Sequence, residues 1–213
     1  MSDLSLYLVT DTALCAARGV LRTVIDAVAG GITTVQVRDK TGSDDDVLRL
    51  LLQVADAVGD RATVVVNDRV DVYLRALAEG AAVHGLHVGQ GDEAVARVRD
   101  RVGSDAIVGI TANTPAELDR VFALPPGTVD YLGVGVIRAT STKPDHPPVL
   151  GVPGFAALAA TSALPCVAIG GIGLADVWPL RRAGAAGVAV VSAVCAAPDA
   201  RAAASALRRE WTR

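Results

Sequence analysis

The chain has 213 residues, of which 51% are hydrophobic and 20% charged, and this balance excludes a disordered chain and indicates a globular protein. Its formal net charge of -3 and its 3% of aromatic residues argue against a nucleic-acid partner. The sequence shows no secretion signal, no apolar membrane-spanning run and no paired cysteine motif, because Cys15, Cys166 and Cys195 are widely spaced. We therefore expect a cytoplasmic protein without a membrane partner, a zinc site or a disulfide framework.

Eight short apolar runs rich in β-branched residues predict eight β-strands. They span residues 6–9, 34–37, 63–66, 85–88, 107–111, 131–134, 166–169 and 188–191. Segments with helical spacing of apolar residues lie between them, and glycines such as Gly31, Gly80 and Gly184 at the helix-to-strand junctions suit left-handed helix C-caps. The repeated pattern predicts a single (β/α)8 TIM-barrel domain over residues 1–213. An open flavodoxin-like sheet with additions is the alternative, although no GxGxxG motif follows the first strand.

Polar residues at the carboxyl ends of the strands are the candidate ligand-binding residues of such a barrel. After the second strand, period-two alternation places Gln36, Arg38 and Lys40 on one face, so that an amide and two cations converge inward. A solvated strand end, with Arg38 paired to Asp39, is the alternative interpretation.

Two carboxylates follow the third and fourth strands. Asp68 lies beside Asn67, and Asp92 follows the next strand. This set suits a Mg²⁺ ion that keeps several waters and binds substrate phosphate oxygens. Each aspartate could instead cap a helix. His87, at the end of the fourth strand, fits a packed core histidine better than a ligand.

The last four strand ends carry hydroxyl groups, a lysine and glycines. Thr111 ends the fifth strand, and the long loop after the sixth carries three hydroxyl residues and an ammonium group that can bind phosphate oxygens. These loop residues are Thr140, Ser141, Thr142 and Lys143. Residues 170–171 and 191–192 follow the last two strands, where this fold recurrently binds phosphate. The alternatives are a solvated loop after the sixth strand and a simple glycine turn after the seventh. If these residues instead bind phosphate, one face of the barrel has two anion sites. A reaction that joins two phosphorylated small molecules needs both.

Several motifs in one order resemble the thiamine-phosphate synthase family, from Tyr7 to Ser192. They are residues 7–11, 36–40 (QxRxK), 67–69 (NDR), 87–92 (HVGQGD, similar to the family's HLGQxD), 140–143 (TxTK) and 168–172 (AIGGI). The resemblance implies a transferase in which the ring nitrogen of a thiazole phosphate, plain or carboxylated, displaces diphosphate from a hydroxymethylpyrimidine diphosphate to give thiamine phosphate. It also implies a dissociative mechanism and Mg²⁺ as cofactor.

The same resemblance implies roles for individual residues. The pyrimidine diphosphate would be held by Gln36, Arg38, Lys40, Asn67, Thr111 and Lys143, and Mg²⁺ by Asp68 and Asp92. The thiazole phosphate would be held by Thr140, Thr142, Gly171, Val191 and Ser192. Val37, Asp39 and Ser141 belong to the same motifs and complete the expected substrate-binding set. The residues expected to be catalytic are Arg38, Lys40, Thr111 and Lys143.

The sequence departs from the family pattern in three places. Thr111 stands where the family commonly has Ser, residues 136–139 replace a usual PxFP, and the longer stretch 78–85 carries His84 for a usual Asp.

Three other functions compete with the synthase interpretation. A thiazole tautomerase or regulatory relative would lack much of the diphosphate-binding set that this chain keeps. A phosphate-ligand-binding or sugar-phosphate isomerase barrel would need a carboxylate or histidine base poised at neutral pH, and His87 is the only histidine at a predicted strand end. The sequence has no basic or aromatic patch that would support a non-catalytic interaction protein.

Overall fold

A closed barrel of eight parallel strands forms the centre of the computed structural model, which describes residues 2–140, 142 and 147–213. The strands are β1 (Leu6–Val9), β2 (Thr34–Val37), β3 (Thr63–Asn67), β4 (Gly85–Val88), β5 (Ile107–Thr111), β6 (Tyr131–Gly135), β7 (Cys166–Ile169) and β8 (Gly187–Val190). Each strand pairs with the next along the chain, and β8 closes the barrel on β1 through the pair Leu8 and Val190. The predicted barrel is confirmed, and the open-sheet alternative is wrong.

Ten α-helices and one 3₁₀ turn surround or cover the barrel in the described part of the chain. They are α1 (Thr12–Cys15), the 3₁₀ turn Ala16–Arg18, α2 (Val20–Gly30), α3 (Asp44–Val58), α4 (Val70–Ala78), α5 (Val95–Val102), α6 (Pro115–Phe122), α7 (Gly151–Thr161), α8 (Leu174–Arg182), α9 (Ser192–Cys195) and α10 (Ala200–Trp211). Local sequence explains several helix starts: Ser43 forms a capping box with Asp46 ahead of α3, and Thr114 caps α6.

Glycines end the helices where the sequence predicts left-handed caps. Gly31, Gly80 and Gly184 have φ angles of 113°, 76° and 90°, which residues with a side chain rarely adopt. Three strands differ by one residue from expectation: β3 ends at Asn67, β6 ends at Gly135, and β8 runs from Gly187 to Val190, so that Val191 is not in it. Its φ of -118° and ψ of -82° leave the strand conformation, and it becomes the N-cap of α9.

The apolar side chains form two separate clusters. The outer cluster fills the space between strands and helices, and includes Val35 and Val37 of β2. The inner cluster lies inside the barrel and consists of Tyr7, Val9, Val65, Tyr131, Val167 and Ala189. This division follows from strand alternation, which directs successive side chains to opposite faces of the sheet.

Glycines inside the barrel make room for the large rings of the inner cluster. A methyl group at Gly109 would overlap the Tyr131 ring, and one at Gly133 would lie 3.0 Å from Cε1 of His87. Small residues on β5 and β6 therefore allow Tyr131 and His87 to occupy the barrel interior. Among the described helices, none combines the length and the hydropathy that a membrane span requires.

Candidate functional site

A cavity opens at the carboxyl ends of the strands and consists of two adjoining pockets. The larger pocket, of about 560 Å³, lies over β2 to β5, and the smaller one, of about 140 Å³, lies over β6 to β8. The two pockets share several lining residues, among them Val9, Arg38 and Thr111. The cavity therefore lies at the end of the barrel where ligands bind in this fold.

Strand β2 directs a polar amide and two cations into the larger pocket. Gln36, Arg38 and Lys40 all line it, as strand alternation predicts. Arg38 does not pair with Asp39; its Nη1 atom lies 3.8 Å from Oδ2 of Asp11. The two cations therefore lie in one pocket, and neither forms a close ion pair within the described residues, which leaves both available to a negatively charged ligand.

Two neighbouring members of the predicted substrate-binding set face away from the cavity. Val37 is fully buried in the outer apolar cluster. Asp39 accepts hydrogen bonds from the backbone amides of Thr41 and Gly42. Hydrogen bonding, first from Thr41, lowers the pKa of Asp39 despite some burial. The structure thus does not bring the side chains of Val37 and Asp39 together with the others.

The two predicted carboxylates lie side by side at the edge of the larger pocket. Asp68 accepts a hydrogen bond from the amide of Asn67, and Asp92 accepts one from the backbone of Gly89 at 2.6 Å. Burial and the neighbouring Asp92 raise the pKa of Asp68 to about 6. Neither aspartate is a helix N-cap, because Arg69 and Ala94 occupy those positions. The pair is therefore a concentration of negative charge next to two cations.

A chain of hydrogen bonds crosses the floor of the larger pocket from β2 to β5. Gln36 Nε2 lies 2.8 Å from the Tyr7 hydroxyl, which lies 2.8 Å from the Tyr131 hydroxyl. His87 joins this chain through Nδ1, 3.0 Å from Tyr131, and reaches Thr111 Oγ1 from Nε2, also at 3.0 Å. Burial lowers the pKa of His87 to about 4, so the imidazole is neutral near pH 7. His87 is packed, as expected, and both its ring nitrogens are engaged.

Glycines and hydroxyl groups line the smaller pocket. Gly170 and Gly171 have φ angles of 97° and 65°, and the hydroxyl groups of Thr140 and Thr142 lie 2.9 Å apart. Ser192 completes this wall together with Val191. Within the described residues, the backbone amides of Gly171 and Ser192 donate to no protein acceptor. These features suit a bound anion. Ser141 and Lys143 lie outside the described residues.

The loop after β6 is attached to the neighbouring loop and helix. The backbone amides of Ile137 and Arg138 donate to the carbonyl of Gly170 at 3.1 and 2.9 Å. The Arg138 guanidinium donates to both carboxylate oxygens of Asp176, which is almost fully buried at the start of α8. Burial opposes ionisation of Asp176, but hydrogen bonds from Arg138 and Gly173 lower its pKa below the usual value. Residues 136–139, where the sequence departs from the family pattern, are thus held by these backbone hydrogen bonds and by the ion pair between Arg138 and Asp176.

Several cavity residues are absent from the predicted set. Tyr7 and Tyr131 form the floor, and Asn113 and Glu117 line the wall after β5. Strand alternation could have identified both tyrosines and Asn113, which lies two residues beyond Thr111. Nothing in the local sequence separates Glu117 from any other acidic residue in the first turn of a helix.

Comparison with known proteins gives one consistent family. The chain matches the family model for thiamine monophosphate synthase over residues 6–194. It is 43% identical over 204 residues to the thiamine-phosphate synthase of Psychrobacter sp. (strain PRwf-1), covering 96% of this chain and 93% of that one. It is 46% identical over 209 residues to the thiamine-phosphate synthase of Azorhizobium caulinodans, covering 97% and 94%. The solved thiamine phosphate pyrophosphorylase from Pyrococcus furiosus has a TM-score of 0.85 and 28% identity, covering 99% of this chain and 96% of its own.

Proposed function

We propose that this chain joins 4-amino-2-methyl-5-hydroxymethylpyrimidine diphosphate to a thiazole phosphate, releasing diphosphate and forming thiamine phosphate. The chain belongs to the thiamine monophosphate synthase family, and this membership supports the proposal. One observation carries the proposal: a single cavity has two adjoining pockets, one lined by Arg38 and Lys40 and the other by glycines and hydroxyl groups, that share Arg38 and Thr111. A reaction between two phosphorylated small molecules needs both pockets in contact, since the reacting atoms must approach to about 3–3.5 Å.

The larger pocket is the site of the pyrimidine diphosphate in this proposal. Gln36 binds the aminopyrimidine, while Arg38, Lys40 and Asn67 bind the diphosphate, with Thr111 at the junction of the two pockets. The smaller pocket binds the thiazole phosphate through Thr140, Thr142, Gly171 and Ser192 and the backbone at Val191. Ser141 and Lys143 lie outside the described residues and are assigned on the sequence motif alone, Lys143 to the pyrimidine diphosphate and Ser141 to substrate binding.

The carboxylate pair fits a divalent cation bound together with the substrate. The raised pKa of Asp68 reflects burial and the negative charge of Asp92, and a cation between them would relieve that repulsion. In the part of the chain that the structure describes, no group of three or more His, Cys, Asp or Glu side chains forms a complete metal site. Mg²⁺ is the cation that suits two carboxylates, because it keeps waters and binds substrate phosphate oxygens. When bound, it would supply positive charge that stabilises the departing diphosphate.

The reaction breaks the bond between the pyrimidine methylene carbon and the diphosphate oxygen. Both electrons of that bond leave with diphosphate, and the lone pair of the thiazole ring nitrogen then forms the new C–N bond to the methylene carbon. Arg38 and Lys40 stabilise the negative charge that develops on the leaving group, an interaction that strengthens in the transition state. The mostly apolar walls contributed by Val9, Ile169 and Ala189 exclude water from the methylene cation.

The purified protein, incubated with both substrates and Mg²⁺, should produce thiamine phosphate detectable by mass spectrometry. Separate reactions with the plain and the carboxylated thiazole phosphate would identify the acceptor. Arg38→Met should abolish most turnover, whereas Arg22→Met, which removes only a surface partner of Asp26 on α2, should not. Absence of product with either acceptor, from a folded protein that binds diphosphate, would contradict the proposal.

An isomerase would need a carboxylate or histidine base near pH 7, and the described cavity has Asp68, whose pKa is raised to about 6 and which we assign instead to the metal site. Among the described residues, His87 is the one histidine that lines the cavity, and both its ring nitrogens are hydrogen-bonded. Its pKa of about 4 also makes it a weak base near pH 7.

A further inference from the structure

The hydrogen-bond chain on the cavity floor has a direction. A neutral imidazole has one donor and one acceptor nitrogen, and each phenol can donate only one proton. A hydroxyl that accepted from both neighbours would leave its own proton without a partner in the chain, which is costly for a buried phenol. When every phenol proton is donated along the chain, two arrangements remain: protons point from Gln36 towards Thr111, or they all point the other way.

The orientation of the Gln36 amide selects the first arrangement, because its Nε2 atom donates to the Tyr7 hydroxyl at 2.8 Å. Within the described residues the carbonyl oxygen of Gln36 accepts no protein hydrogen bond. The pocket is lined by Asp68, Asp92 and Glu117 as well as by Arg38 and Lys40, so the amide orientation and not the net charge of the lining fixes the direction. Gln36 then donates to Tyr7, Tyr7 to Tyr131, and Tyr131 to Nδ1 of His87. The proton of His87 is on Nε2 and is donated to Thr111, whose own hydroxyl proton remains free to point into the cavity.

We propose that Tyr7, Tyr131 and His87 are positioning residues that act as one unit, holding an acceptor at Gln36 and a donor at Thr111 on opposite sides of the larger pocket. This inference depends on the proposed function only for the chemical identity of the ligand. The exposed acceptor suits an amino group on the pyrimidine ring, and the exposed donor suits an oxygen of the departing diphosphate. In the reverse arrangement Thr111 would present only lone pairs to an anion, which is repulsive.

The glycines of the barrel interior support the same unit. A side chain at Gly109 would displace the Tyr131 ring, and one at Gly133 would press on His87. Tyr7 and Tyr131 are also almost fully buried, so neither hydroxyl can turn to bulk water for a partner. The chain is therefore held by packing as well as by hydrogen bonds.

The tautomer of His87 tests the direction without any turnover. In protein labelled with ¹⁵N-histidine, the three histidines are distinguished by the signal that disappears in His87→Gln. We expect the Nε2–H tautomer for His87 in the ligand-free protein, and the same tautomer with Mg²⁺ and inorganic diphosphate. An Nδ1–H tautomer would overturn the inference. Because no product is needed, this result is independent of whether the protein makes thiamine phosphate.

Kinetics test whether the residues act as one unit. Tyr7→Phe and Tyr131→Phe should each lower kcat/KM for the pyrimidine diphosphate about tenfold, the effect of a lost hydrogen bond, and leave KM for the thiazole phosphate unchanged. The double variant should lose no more than either single variant. Tyr73→Phe is the matched control, because Tyr73 is buried on α4 in the outer cluster. Multiplied losses in the double variant, or an equal loss in the control, would show that no such unit exists.

Discussion

Replacing Gly171 with alanine tests how closely the smaller pocket is built. Gly171 has a φ of 65°, and a Cβ there would lie 2.7 Å from the carbonyl oxygen of Arg138 and 2.9 Å from that of Ala139. Gly80 is the matched control, with a φ of 76° and no heavy atom within 4 Å of an added Cβ. Both substitutions impose a left-handed conformation on alanine, but only the one at Gly171 displaces neighbouring backbone.

The two costs can be separated. The left-handed conformation costs about 1 kcal/mol at either position. Displacing the two carbonyls adds about 2 kcal/mol, the usual range for overpacking. For a chain of this length each kcal/mol lowers the melting temperature by about 2–4 °C. We expect decreases of about 2–4 °C for Gly80→Ala and roughly 6–12 °C for Gly171→Ala.

Differential scanning calorimetry measures these shifts, and steady-state kinetics measures the consequence for the pocket. Displacement of the Arg138 and Ala139 carbonyls should move Thr140 and raise KM for the thiazole phosphate about tenfold, equivalent to about 1.4 kcal/mol. KM for the pyrimidine diphosphate should change little. Equal melting temperatures for the two variants, or equal changes in both KM values for Gly171→Ala, would refute the reasoning.

Three further outcomes follow from the same structure. EDTA should abolish turnover and Mg²⁺ should restore it, and Asp92→Ala should stay inactive at limiting Mg²⁺; full activity of that variant would remove Asp92 from the metal site. Lys143→Ala should lower kcat more than it raises either KM, because a charge that acts on the departing diphosphate stabilises mainly the transition state; an unchanged kcat would contradict this role. Arg138→Met should lower the free energy of unfolding near pH 7, and in thermal melts the difference should shrink as the pH falls below about 4, where Asp176 of the unfolded chain takes up a proton, and vanish only below the lowered pKa that Asp176 has in the fold; a difference that does not shrink in acid would exclude the ion pair as its cause.

The strands were predictable because their signals are local. Each strand is a short run rich in apolar residues, and seven of the eight predicted starts coincide with those in the structure; β8 begins one residue earlier, at Gly187. Alternation within one strand likewise explains why Gln36, Arg38 and Lys40 meet in one pocket. These features depend on neighbours in sequence alone.

The cavity floor was not predictable in the same way. Tyr131 can point into the barrel only because Gly109, on another strand, leaves room for it. The carboxylate contact between Asp68 and Asp92 also depends on the distance between two loops. Such features arise from packing between elements, and a single sequence contains no direct record of that packing.

One departure from the family pattern has a simple structural explanation. Nδ1 of His84 accepts a hydrogen bond from the backbone amide of Val64 at 3.0 Å. Asp130 does the same two strands further on, where its carboxylate accepts from the amide of Val108 at 2.7 Å. In both places a side chain just before one strand accepts a hydrogen bond from a backbone amide near the start of the preceding strand. At His84 the acceptor is an imidazole nitrogen instead of a carboxylate oxygen.

The separation of the two apolar clusters has a consequence for how this chain can change. The outer cluster contains most of the buried aliphatic side chains, while the inner cluster consists of six residues beneath the cavity. Apolar burial supplies most of the driving force for folding, so that force comes mainly from side chains that never meet a ligand. Substitutions at Val9, Val167 or Ala189, which belong to the inner cluster and line the cavity, can therefore alter its shape and polarity while the outer layer preserves the barrel. A library randomised at these three positions should yield many folded members with altered acceptor preference, which makes this scaffold a good starting point for directed evolution.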